Sequence, residues 1–226
     1  MSKHIPNLLT ILNLICGCIA LYFTFQDKLV ITAYLIGLAV IFDFMDGAAA
    51  RFLNVSNPIG KELDSLADMV SFGLVPGAVV FHLLEGSTLS QYSFMALTIP
   101  IFSALRLAKF NVDQNQNENF IGLPTPANCL VFISIPLITT FNSESTIAYL
   151  FKIPEILLVI TILMSLALVS RINLFTLKFK NLKFQDNKFR FLLITMSILL
   201  LTFIELSAIP IIILIYIMMS IVKRNN

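Results

Sequence analysis

The chain has 226 residues, of which 58% are hydrophobic and only 12% charged, with 15 Lys and Arg against 13 Asp and Glu. A soluble domain carries about a quarter charged residues, so this composition and a mean hydropathy of +0.90 exclude one and point to an integral membrane protein. A formal net charge of +2 gives no reason to expect a nucleic-acid partner.

Continuous apolar runs of about 20 residues, rather than alternating strands, predict helices. Along the chain they fall at 6–25, 29–51, 60–84, 91–110, 123–141, 147–169, 189–204 and 206–222, the last two parted only by Glu205, Leu206 and Ser207. The expected fold class is all-α: one polytopic bundle of about eight transmembrane helices over 1–226, with no internal repeat. The first run lacks a small-residue cleavage site and reads as a retained span, not a signal peptide. With the N-terminus inside, the Lys and Arg residues split 13 to 2, leaving only Lys28 and Lys152 outside. Both termini are therefore expected in the cytoplasm. The basic stretch 171–190 serves as that topology signal or lies against anionic headgroups. Cys16, Cys18 and Cys129 sit in apolar runs as small hydrophobes, and His4 and His82 lack a spaced partner.

One stretch breaks the pattern. Residues 42–73, FDFMDGAAARFLNVSNPIGKELDSLADMVSFG, place Asp43, Asp46, Asp64 and Asp68 within predicted spans. An ionised Asp near a helix centre costs about 2.5–3.5 kcal/mol, so four cost on the order of 10–14 kcal/mol without compensation. Arg51 and Lys61 offset two charges at most, whereas oxygen-only ligands suit hard cations such as Mg²⁺, Mn²⁺ or Ca²⁺. Asp43 and Asp46 stand about 60° apart around their helix, and Asp64 and Asp68 about 40°. Each pair shares a face. Antiparallel helices joined by a short turn bring the pairs to one depth near one membrane surface, where four carboxylates define a volume for one or two metals. Gly47 and Gly60, one turn from Asp43 and Asp64, leave room for a ligand or a neighbouring helix. Arg51 presents a fork suited to phosphate.

The spacing Asp43-x2-Asp46-Gly47-x2-Ala50-Arg51-x8-Gly60-x3-Asp64-x3-Asp68 fixes eight positions over 26 residues. It resembles, without a departure, the signature of the CDP-alcohol phosphatidyltransferase family. IPNLLTILNLICG at the start, GKELDSLADMVSFGLVPG, and RLAKFNV followed by GLPTPA resemble the membrane-integral bacterial members that use L-serine. The likeness covers about the first 130 residues, with a family-like core to about 170 and extra helices at about 189–222.

The resemblance implies a phosphatidyl transfer from CDP-diacylglycerol to the hydroxyl of L-serine, releasing CMP at the cytoplasmic face of a bacterial plasma membrane. It implies two Mg²⁺ or Mn²⁺ ions, with Asp43 and Asp64 bridging them, Asp46 completing the shell of the first metal, and Asp68 ligating the second and serving as general base. By the same likeness Gly47, Ala50, Arg51, Asn57 and Gly60 lie along the CDP moiety, and Asn7 and Thr10 approach the nucleotide. Lys61 is either a further phosphate contact or a snorkelling lysine. A homodimer among membrane lipids is also implied. For the acceptor's carboxylate and ammonium, Arg106, Lys109, Asn111 and Thr125 are candidates; Arg106 and Lys109 equally suit membrane anchoring, and the prolines around Thr125 suit a helix start. Rival readings are another acceptor (glycerol 3-phosphate, inositol phosphate or choline), an inactive scaffold, and a cation transporter, which calls for carboxylates spread along a path across the bilayer.

Overall fold

Helix α1 (Ile5–Phe25) opens with Pro6, whose fixed φ suits a first turn, and turns back through Gln26–Lys28 into α2 (Leu29–Phe52). This computed structural model describes residues 4–53, 58–112, 120–176 and 185–225. Asp27 carries the turn at φ +57. Beside it the hydroxyls of Thr24 and Thr32 lie 3.2 Å apart and both bond the carbonyl of Ala20, so neither is left unpaired in the apolar interior. Fully buried Ala20, Ala39 and Ile36 keep the two helices close.

The next run spans 58–85 in three parts: α3 (Pro58–Asp68), a π-helical stretch (Met69–Leu74) and α4 (Val75–Glu85). The π stretch brings Ser71 against α1, where its hydroxyl donates to the carbonyl of Asn13 at 3.1 Å. Gly17 makes this approach possible, because a Cβ there would meet Ser71 Oγ at 2.3 Å and its Cα at 3.1 Å. A 3₁₀ stretch (Ser90–Leu97) then leads into α5 (Thr98–Val112).

Two-residue strands β1 (Phe120–Ile121) and β2 (Asn173–Leu174) form an antiparallel ribbon. Between them lie α6 (Thr125–Phe141), α7 (Thr146–Phe151) and α8 (Pro154–Val169). The expected span 147–169 is thus broken: Ile153 is extended and Pro154 starts a new helix. Gly122 bridges ribbon and α6 at φ +81, where a Cβ would meet the Leu168 carbonyl oxygen at 2.3 Å. α6 is the hub, with residues such as Phe132, Ile135 and Ile138 in one buried cluster and Cys129 and Ile133 in the other.

Among the described residues five helical runs are long and apolar enough to cross a membrane: 5–25, 29–52, 58–85, 90–112 and 188–223; α6 and α8 are shorter and apolar. The last run is two helices, α9 (Lys188–Ile204) and α10 (Ala208–Asn225), separated where Glu205 takes φ +51. Lys223 stands over the Phe189 ring, so α10 doubles back along α9. Eight apolar helical segments result, in the expected all-α arrangement. Their outer faces carry exposed side chains such as Phe44 and Phe203, as expected where lipid is the solvent.

Gly17→Ala is expected to lower stability by about 1–3 kcal/mol, read as a lower unfolding midpoint of the detergent-purified protein. Adding Ser71→Ala removes the nearest clashing atom and should recover part of the loss. An unchanged midpoint in Gly17→Ala would show that the α1–π contact is not close.

Candidate active site

α2 and α3 converge near the α2–α3 connection and bring acidic groups together. One carboxylate oxygen each from Asp43, Asp64 and Asp68 lies within 4.8 Å of the other two. Asp43 and Asp64 are half-buried and Asp68 is 9% exposed. Among the described residues none of the three has an ion-pair partner, and Asp64 Oδ1 is buried without any hydrogen bond. Like charges this close repel strongly in a poorly hydrated site, and an oxygen-only donor set is what a hard divalent cation takes. The residues present therefore fit a divalent cation.

Asp46 stands outside the trio. It is buried, and its Oδ2 accepts the Thr10 hydroxyl at 2.6 Å. Asn13, on the same face of α1 as Thr10, donates its amide to Asp68 Oδ1 at 3.3 Å. α1 thus reaches both acidic helices, and its position is fixed by the Ser71–Asn13 bond from the π stretch. π insertions often mark functional positions; this one begins at the residue after Asp68.

The carboxylates line a cavity of about 360 Å³ together with Gly47, Arg51, Arg106 and Thr125. Arg51 is exposed and its guanidinium folds over Gly47, 3.7 Å from where a Cβ would be. Arg106 is 8% exposed. Its NH1 donates to Thr125 Oγ1 at 3.4 Å, its Nε has no partner among the described residues, and it interacts electrostatically with Asp68. A second cavity of about 670 Å³ adjoins this one at Arg106 and Phe110. Lys109, Arg171 and Asn173 help wall it.

The remaining sequence candidates are placed as follows. Ala50, Gly60 and Asn7 are half-buried on α2, α3 and α1. Asn57 lies outside the described residues. Lys61 and Asn111 face each other: Lys61 Nζ donates to the Asn111 carbonyl at 3.1 Å, and the Asn111 side chain bonds Ser65 and Glu62. They clasp α3 to α5 and do not line the carboxylate cavity. Lys109 lines only the larger cavity.

Sequence reasoning missed Asn13, the Thr10–Asp46 bond, and the contribution of Arg171 and Asn173. The first two had a signal. Thr10, Asn13 and Gly17 follow at helical spacing in an apolar span, where a polar side chain must find a partner. The last two had none, because only the ribbon carries them to the cavity.

A family model described as CDP-alcohol phosphatidyltransferase matches residues 3–177. The chain is similar to the CDP-diacylglycerol–serine O-phosphatidyltransferase of Bacillus subtilis (strain 168), 37% identical over 134 residues, 58% of this chain and 76% of that protein. It is similar to the protein of the same description from Methanocaldococcus jannaschii, 36% identical over 147 residues, 65% of this chain and 67% of that protein. It also resembles that of Helicobacter pylori (strain J99 / ATCC 700824), 31% identical over 130 residues, 57% of this chain and 55% of that protein, so it spans about half the length of that curated relative.

Mn²⁺ titrated calorimetrically into the purified protein should bind, and Asp64→Asn should weaken that binding at least about tenfold. Asn13→Ala, which removes the amide steadying Asp68, should weaken it about 10- to 100-fold. Equal affinity in the parent and both variants would show that these carboxylates hold no ion.

Proposed function

The chain belongs to the CDP-alcohol phosphatidyltransferase family, and on that premise we propose that it transfers the phosphatidyl group of CDP-diacylglycerol to L-serine, giving phosphatidylserine and CMP. The observation that carries the reading is the convergence of Asp43, Asp64 and Asp68 within 4.8 Å in a cavity that also holds Arg51 and Arg106. The choice of serine is supported by the curated relatives, which bear that acceptor in their names.

Asp43, Asp46, Asp64 and Asp68 would hold two Mg²⁺ or Mn²⁺ ions, which when bound draw charge off the diphosphate and make CMP a better leaving group. Arg51, folded over Gly47 where no side chain intervenes, would grip the diphosphate with its planar fork. Asp68, steadied by Asn13, would take the proton of the serine hydroxyl. The serine oxygen then bonds to the lipid-bearing phosphorus, the bond from that phosphorus to the bridging oxygen breaks, and CMP leaves with the electron pair. Arg106, whose Nε has no partner among the described residues and which has the Thr125 hydroxyl beside it, would take the serine carboxylate. The adjoining cavity with Lys109 and Arg171 gives the polar acceptor a cationic approach. The diacylglycerol chains would stay in the bilayer beside the apolar outer faces of the helices, with the headgroup at the cytoplasmic surface.

Purified protein with CDP-diacylglycerol and Mn²⁺ should release CMP when given L-serine. Release with glycerol 3-phosphate, inositol phosphate or choline, but not with L-serine, would overturn the acceptor assignment. Asp68→Asn is expected to abolish turnover while leaving CDP-lipid binding measurable; near-normal turnover would refute its role as base.

A further inference from the structure

The family match ends at residue 177, before the α9–α10 hairpin. Leu193 is the buried residue of α9, while α10 sends Ile213 and Tyr216 into the main buried cluster. The hairpin's hinge bonds elsewhere, Glu205 to Asn142 and Ser207 to Ser145, whereas side chains of α9 and α10 converge on Phe175 and Thr176, the two residues after β2. Tyr216, 6% exposed, donates its hydroxyl to the Phe175 carbonyl at 2.9 Å, and its ring meets the Phe175 ring edge-on at 5.2 Å. Lys223 Nζ stands 5.4 Å above the Phe175 ring and 5.9 Å above that of Phe189. Arg190 donates through Nε to the Thr176 carbonyl at 2.7 Å and through NH2 to the Thr176 hydroxyl at 3.3 Å.

The gripped segment leads directly to the site. β2 pairs with β1, the Ile172 carbonyl accepts the Gly122 amide at 2.9 Å, and the Leu123 amide donates to the Ala167 carbonyl at 3.0 Å. Gly122 and Leu123 run straight into Pro124 and Thr125, the partner of Arg106. Ser170, Arg171 and Asn173 wall the larger cavity that adjoins the carboxylates. Tyr216 is also near enough to Arg106 for the two to interact electrostatically.

We propose that Tyr216 is a positioning residue for the acceptor. Through the Phe175 carbonyl it fixes the ribbon that carries Arg171 and Asn173 to the cavity, and with it the Arg106–Thr125 pair. The inference rests on the phosphatidyl-transfer reading and assigns to the C-terminal hairpin the task of shaping the acceptor side. A loosened ribbon weakens the acceptor's grip without disturbing Asp43, Asp64, Asp68 or Arg51, so the effect falls on KM for the alcohol.

The test is Tyr216→Phe in the full chain, which keeps the ring packing and removes only the hydroxyl. KM for L-serine should rise about three- to tenfold, the range expected for one lost hydrogen bond, with kcat and KM for CDP-diacylglycerol changed less than about twofold. Hydrogen–deuterium exchange at the amides of residues 172–176 should quicken in the same variant, and Lys223→Met should move both readouts in the same direction. Unchanged exchange at those amides, an unchanged serine KM, or a parallel loss for both substrates with a lower unfolding midpoint would each overturn the proposal. If the parent protein uses another alcohol, the serine reading fails, and the same comparison with that alcohol still decides the role of Tyr216.

Discussion

Acidic side chains inside an apolar helix bundle must be balanced where they stand, and most of the local architecture follows from meeting that requirement at Asp43, Asp64 and Asp68. Their oxygens converge within 4.8 Å, an arrangement that pure protein would not tolerate without an external cation or protonation. Bringing two helices to this closeness requires small residues at the contact and a third element to orient the side chains. α1 is that element. Thr10 and Asn13 reach one acidic helix each, and Gly17 lets the π stretch lie close enough to hold α1 in register. Charge, hydrogen bonding and backbone approach are therefore one coupled problem with one solution.

The helical class and nearly all segment positions were legible because lipid imposes a length and a composition on each crossing. What the hydropathy pattern could not show were interruptions within apolar runs. The π stretch after Asp68 replaces one kind of helix with another and leaves no compositional trace. The break before Pro154 was legible in principle, since a proline restricts the residue before it. The ribbon at Phe120–Ile121 and Asn173–Leu174 pairs segments some fifty residues apart, and two-residue strands carry too little alternation to be seen.

At the site, the acidic residues were legible because charge in a span is costly and demands a reason. The polar support from α1 is only half legible: the sequence points to Thr10 but not to its bond with Asp46, and gives Asn13 no motif. Lys61 and Asn111 show the opposite limit. Both were attractive as ligand contacts by residue type, yet Lys61 bonds the Asn111 carbonyl and the Asn111 side chain bonds Glu62 and Ser65. Residue type reports what a side chain is capable of binding, and only tertiary placement reports what is within reach.

The positive φ of Glu205 shapes the α9–α10 hairpin. An unbroken helix over the 36 residues from Lys188 to Lys223 would be about 54 Å long, far beyond a hydrocarbon layer of about 30 Å. With the reversal, the run becomes two antiparallel helices, α9 and α10, each short enough to fit that thickness. A substitution that straightened Glu205 would turn that hairpin into one rod too long for the layer to enclose.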